Sequence, residues 1–279
     1  MIEQRRTVGS DPLDVALTAL ISAPAAPHVV DVGGGSGTRA VPLAMKGCRV
    51  TVVDSSADAL AILHRRAEDA GVAGQVAGVQ ADAELLATVI PSGGADLVLC
   101  HHLLEEVDDP AAVIAAVAAA VRPGGRVSVL VAGRLGAVLG QTLAGRFAEA
   151  RVLLADADGR YAATDPLRRR FDAAGIASLL TAAGLQVESV TGVGVLSGMV
   201  SWAARQAVPG GDGELAGLEA AAAMHPALLE IAADLHVVAR RPAAQASAGA
   251  AAGVGEEARP AQRATAGSAA GEGTDVPSG

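Results

Sequence analysis

The sequence predicts an α/β fold with a mostly parallel central sheet and helices on both of its faces. Three observations carry that expectation. Strand-length apolar runs alternate with helix-length segments through most of the chain. The first of these runs, HVVDV, reads as a buried strand, as strands of a doubly covered sheet do. A cluster of glycines then follows it directly.

The elements follow in order. Residues 11–23 form a first helix, capped by Ser10 or Asp11. His28–Val32 is the first strand, and 38–46 a short helix that carries Pro42 in its early turns. Strand 48–54 leads to helix 57–70, which Gly71 ends. A weaker strand at 74–80 and a short helix near 83–90 come next. Strand 95–101, helix 110–121 closed by RPGG, and strand 126–131 complete the regular alternation. A helix over 172–183, a strand over 185–193 and a last strand over 234–240 follow. Two helical insertions interrupt this pattern, near 134–171 and 199–233. The first holds Arg134, Arg146, Arg151 and the run Arg168, Arg169, Arg170. Residues 1–242 are read as the folded domain. Residues 243–279 have two Val and no Leu, Ile or aromatic residue. Such a segment cannot offset its ordering entropy, and it reads as a disordered tail.

Composition narrows the partners. The formal charge is -9, which gives no general attraction for nucleic acid and leaves only a local basic face for it. Cys48 and Cys100 are too few for a disulfide framework, and no C-x-x-C pattern exists. A reduced cytoplasmic setting fits, with no membrane span and no signal-peptide core after the first residues. Neighbouring His101 and His102 have no compact third ligand, so no metal site is expected.

The glycine cluster admits three readings. A phosphate-binding loop needs Lys then Ser or Thr after its glycines, but residues 38 and 39 are Thr and Arg. A dinucleotide fingerprint starting at Gly33 finds Gly35 and then Thr38, one substitution short. The third reading is Asp31-x-Gly33-x-Gly35-x-Gly37. This resembles the glycine-rich motif of class I S-adenosylmethionine-dependent methyltransferases. A carboxylate suits a cofactor that carries a sulfonium and no phosphate. Asp54 ends the second strand, where an acidic residue accepts both ribose hydroxyls; its other reading is a helix cap, a task open to Ser55 or Ser56.

The segments ADLVLCHHLLEEVDDP at 95–110 and VRPGG at 121–125 extend the resemblance across most of residues 29–130. It implies a Rossmann-like fold and an S-adenosylmethionine site built from Asp31, Gly33, Gly35, Gly37, Asp54 and Ser55. It further implies that Asp82 holds the adenine amino group, and that Cys100 and His101 stand where the sulfonium meets the acceptor. His101 or His102 would serve a hydroxyl acceptor as base.

More narrowly, residues 122–147 resemble the tRNA carboxymethoxyuridine methyltransferase group, which esterifies a carboxylate on a wobble uridine. That likeness implies a tRNA acceptor, with Arg134, Arg146 and Arg168 orienting its carboxylate or phosphates. The chain departs from the group at Val131–Arg134 and in its scarcity of aromatics for stacking on a base. Two further readings stay open: a methyltransferase for a small-molecule carboxyl or hydroxyl, and an inactive nucleotide-binding or interaction protein. The sequence says nothing of oligomeric state.

Overall fold

A computed structural model describes residues 12–21 and 26–243. The expected Ser10 or Asp11 cap and residues 244–279, read above as a tail, lie outside the described residues. In chain order the first elements are α1 (Pro12–Leu20), β1 (His28–Val32), α2 (Ala40–Met45), β2 (Arg49–Asp54) and α3 (Ala57–Asp69). Next come β3 (Val76–Gln80), α4 (Leu86–Val89), β4 (Ala95–His101), α5 (Pro110–Ala120) and β5 (Val121–Ala132). The remainder is α6 (Arg134–Leu143), α7 (Phe147–Ala155), α8 (Ala173–Ala182), β6 (Gln186–Val193), α9 (Trp202–Gln206), α10 (Gly211–Ala223) and β7 (Asp234–Arg240).

The seven strands form one sheet in the order β3-β2-β1-β4-β5-β7-β6. The first five are parallel; β7 runs antiparallel between β5 and β6. The order reverses direction at β1, so the crevice beyond the carboxyl ends of β1 and β4 is the switch point where such folds bind ligands.

Alternation along each strand divides the core between the two faces. Val29, Leu97 and Leu99 pack with α1, α2 and α3 on one side. Val30, Val32, Val98 and Cys100 pack with α5 and α8 on the other. Both faces are apolar because helices cover both, and Val, Leu, Ile and Ala fill them with little aromatic help.

Local chemistry sets the helix ends. Ser56 accepts the N–H of Ala59 to cap α3, and Gly71 closes its far end at φ +70. Asp109 accepts from Ala111 and Ala112 to cap α5, whose first residue is Pro110. Asp172 caps α8 through Gly175. The helix expected over 38–46 begins later, at Ala40, because residues 33–39 are spent in the glycine turn. Pro42 therefore falls in the first turn, where its missing N–H costs nothing. The strand expected to start at Arg126 begins at Val121, and the RPGG turn is its irregular entry, with a register shift between Ala95 and Leu97 on β4. Among the described residues no helix is long and apolar enough to cross a membrane.

Candidate functional site

The glycine turn sits over the carboxyl ends of β1 and β2. The N–H of Gly33 donates to the Val53 carbonyl at 2.7 Å, which folds the turn back across β2. Gly33, Gly35 and Gly37 all hold positive φ. Position 37 is closed to any larger residue, since a Cβ there would stand 2.1 Å from Leu63 Cδ1. At Gly34 a Cβ would meet the Asp31 carboxyl group at 2.5 Å, so backbone and carboxyl lie in direct contact.

Asp31 is buried, and burial with the nearby Asp54 charge pushes its pKa up to about 7 against the pull of Arg39. Arg39 is paired with Asp14 of α1 at 2.5 Å. Asp31, Gly33, Gly34, Arg39, His101 and His102 line a cleft of about 260 Å³, with Thr38 and Leu130 completing it.

Asp54 ties the turn to the next helix. Its Oδ2 accepts the N–H of Gly35 at 2.8 Å and its Oδ1 the N–H of Ser56 at 2.9 Å. Capping of α3 falls to Ser56, and Ser55 presents its carbonyl to Gln80. Asp82 is exposed beyond β3, next to Ala81, whose N–H donates to the Asp54 carbonyl. It makes no side-chain cap for the turn it precedes.

At the end of β4 three adjacent residues divide sharply. Cys100 turns its thiol into the core on the α5 side, fully buried. His101 faces the opposite side. Its Nε2 is 2.9 Å from Ser128 Oγ, and that hydroxyl is 2.8 Å from His236 Nε2. Burial, chiefly, drives His101 down to about 3 and His236 to about 4, so both rings are neutral at ordinary pH. The sequence placed His101 and His102 on one footing as bases, but burial, with His236 and Arg39 adding to it, disfavours a charge on His101.

His102 is different. It sits at φ +52, left-handed for a residue with a side chain, and half-exposed. Its Nδ1 lies 3.1 Å from Glu105 Oε1. Glu105 is buried, and the same oxygen accepts the N–H of Ala132 at 2.7 Å. That bond to Glu105 raises the His102 pKa, with Asp234 adding to it and burial opposing. Asp234 is itself raised by burial. The Glu105 bond thus favours the charged form of the His102 imidazole.

The arginines expected to bind an acceptor are mostly engaged within the protein. Arg168 pairs with Asp108, an exposed partner. Arg146 bonds to Gln141 at the start of α7. Arg134 lies 3.5 Å from Asp172. Arg170 pairs with buried Asp165 at 2.7 Å, and Arg169 donates to the carbonyls of Leu104, Val107 and Asp108. Some of these partners are distant in sequence, as for Arg168 and Arg169, and others are local, as for Arg146 and Arg170.

Sequence reading missed Glu105, Ser128, Asp234 and His236. A signal existed for Glu105, an acid three residues after His102. The others come from β5 and β7 and meet β4 only through the sheet register. Among the described residues, no group of three or more His, Cys, Asp or Glu side chains is placed to hold a metal ion.

The family model described as "Methyltransferase domain" matches residues 1–190. A ubiquinone biosynthesis O-methyltransferase from Sodalis glossinidius is 40% identical over 100 residues, 36% of this chain and 39% of that protein. The tRNA 5-carboxymethoxyuridine methyltransferase of Escherichia coli is 30% identical over 168 residues, 60% of this chain and 63% of that protein. Ubiquinone biosynthesis O-methyltransferases recur among the relatives from several other bacteria, at up to 41% identity. They overturn the narrower resemblance to the tRNA group, which rested on a stretch around β5 where that group's own aromatic and Asn pattern is missing. A methyltransferase structure from Methanosarcina mazei superposes with a TM-score of 0.58 at 16% identity, covering 82% of this chain and 98% of that one. At that identity it speaks for the fold alone.

Proposed function

The chain belongs to the methyltransferase-domain family, with a Rossmann-like class I fold and S-adenosylmethionine as cofactor, and from that premise we propose that it methylates a hydroxyl group of a small molecule. The observation that carries this reading is the half-exposed His102 imidazole tethered to the buried Glu105 carboxylate beside the glycine cleft. A carboxylate acceptor is ionised near neutral pH and has no use for a base. A hydroxyl acceptor must lose its proton, and His102 is set to take it. The match is best for a phenol-like hydroxyl with a pKa of about 10, since an aliphatic alcohol lies much further from imidazole. The O-methyltransferase names of the recurring relatives agree with a hydroxyl acceptor.

The residues present fit the cofactor. Within the 33–37 turn Gly33, Gly34, Gly35 and Gly37 have no side chain to bar a close approach, Ser36 accepts a hydrogen bond from Arg66, and Asp31 offers a carboxylate to a cationic ligand. Each oxygen of Asp54 accepts one protein N–H, which leaves a lone pair on each for a ribose hydroxyl. We assign Asp82 and the Ser55 main chain to the adenosine side. The cofactor supplies the activated methyl group.

What remains for the protein is alignment, exclusion of water and the fate of one proton. His102 takes that proton from the acceptor oxygen, and Glu105 holds the imidazolium in place. On the acceptor side we retain Arg134, which starts α6 two residues after Ala132, the donor to Glu105. Two unpaired buried thiols, Cys48 and Cys100, are in keeping with a reducing cytoplasm.

The test offers labelled S-adenosylmethionine with panels of phenols, alcohols and carboxylic acids. Base-stable methyl ether from phenols, lost about 10²-fold or more in His102→Gln, is the expected result. Base-labile ester formed at equal rates by the parent chain and His102→Gln would sink the hydroxyl reading and leave the family intact.

A further inference from the structure

We propose that Arg169 is a positioning residue for the reaction, setting His102 through the loop that carries Glu105; this rests on the hydroxyl-transfer reading above. The Arg169 guanidinium spans that loop from the side of the insertion. Its Nη1 donates to the carbonyls of Leu104 at 2.9 Å and Val107 at 2.5 Å, and its Nη2 to that of Asp108 at 3.2 Å. The neighbouring main chain completes the brace. The N–H of Arg168 donates to the Glu105 carbonyl at 3.0 Å, and that of Phe171 to the Ala132 carbonyl at 2.9 Å. The N–H of Ala132 in turn donates to Glu105 Oε1 at 2.7 Å.

These bonds close a ring: Glu105 main chain, Arg168, Phe171, Ala132, Glu105 side chain. His102 hangs from it by one bond, at 3.1 Å. Its backbone conformation is one that the loop must hold in place, since a left-handed histidine is strained. A rigid fork of donors is suited to three carbonyls at once; an ammonium on a flexible stem is not. The charged and titratable groups facing His102 are Glu105 on its own loop, Asp234 from β7, Arg39 before α2 and neutral His101. Of these, only Glu105 is held by the brace. The segment 168–171 is also the return of the insertion that holds α6 and α7, so the base is tied to the part of the chain that differs most from a plain alternating sheet.

The experiment uses the full chain with labelled histidine. It follows the His102 titration by nuclear magnetic resonance, with His102→Gln to assign the signal. It also records kcat/KM for a phenolic acceptor against pH and the cofactor Kd by calorimetry. In Arg169→Lys and Arg169→Ala the His102 midpoint should move down, toward that of a free imidazole. Turnover should fall by up to about 10²-fold, as misplacement of a reacting group does. The cofactor Kd should stay within about twofold, and Lys should restore part of what Ala loses. A His102 midpoint in Arg169→Lys identical to the parent's would overturn the proposal, and this variant decides alone if Arg169→Ala does not fold. If His102→Gln turns over normally, the base reading fails, while the midpoint in Arg169→Lys still reports whether Arg169 positions the imidazole.

Discussion

His102 Nδ1 stands 3.1 Å from Glu105 Oε1, yet the two side chains are 51% and 1% exposed. One end of the pair meets solvent beside the glycine cleft, and the other is fixed inside the protein. Replacing Glu105 by Gln keeps an acceptor for the Ala132 N–H and removes the charge that favours the imidazolium. The limb of kcat/KM that rises with pH, governed by neutral His102, should then move to lower pH, and kcat should drop by about 10²-fold. The sign is fixed by the raised pKa in the parent chain. Its share of stability is present below the ordinary histidine pKa and is lost as pH rises through the raised one, a small effect for so exposed a ring. A pH profile unchanged in Glu105→Gln would separate the two residues.

Asp31 gives a second pH dependence of opposite origin. Its carboxyl is pushed up to about 7 by burial. Ionisation in the folded chain therefore lags behind the unfolded chain, and stability without cofactor should fall as pH rises from about 4 to about 7. A cationic ligand favours the ionised form, so cofactor affinity should rise over the upper part of the same window. Calorimetry from pH 5.5 to 8.5 tests this, with Asp31→Asn expected to bind weakly and without that slope.

Asp54→Ala removes the acceptor for both Gly35 and Ser56. Cofactor affinity should fall by at least about tenfold, on the order of one lost charge-assisted hydrogen bond. Unaltered affinity by titration calorimetry would take Asp54 out of the site.

Gly37→Ala combines a positive φ of 78 with a Cβ driven 2.1 Å from Leu63 Cδ1, a fully buried side chain. Strain and overpacking should each cost about 1–3 kcal/mol. Urea unfolding of the variant reads the sum, and a loss under 1 kcal/mol would mean that the turn relaxes freely.

Two neighbouring arginines should separate cleanly. Arg170 and Asp165 are paired with side chains 9% and 0% exposed, so Arg170→Ala should cost about 3 kcal/mol. Arg168 pairs with Asp108 where both are exposed, and Arg168→Ala should cost less than about 1 kcal/mol. Equal losses would show that the run acts as one block.

The alternation of strands and helices was legible because it depends on local pattern: HVVDV, RVTVVD and ADLVLCH are strands within a residue of where their sequences put them. The glycine turn was legible for the same reason, since Asp31 lies in the last two residues of β1, the glycines follow it and Asp54 ends β2. The split between His101 and His102 was not. It depends on Ser128 and His236, 27 and 135 residues beyond His101 in the numbering, and on the turn that sends His102 outward. The partners of the arginine run were only partly legible. Asp165 lies five residues before Arg170, but Asp108 and the carbonyls of 104–108 reach the run only through the fold. The final strands gave no clean crossover signature because there is none to find: β6 and β7 pair antiparallel.

The place of β7 has a bearing on how the chain is made. It lies between β5 and β6, although it follows both in the chain. A ribosome that has released everything up to Val193 has produced two strand edges with no backbone partner on the side meant for β7. Both stay open for adhesion to other chains until residues 234–240 emerge. Completion of the sheet, and delivery of His236 to Ser128, thus wait until α9 and α10 have been made, so a chain stalled within either should be a client for chaperones.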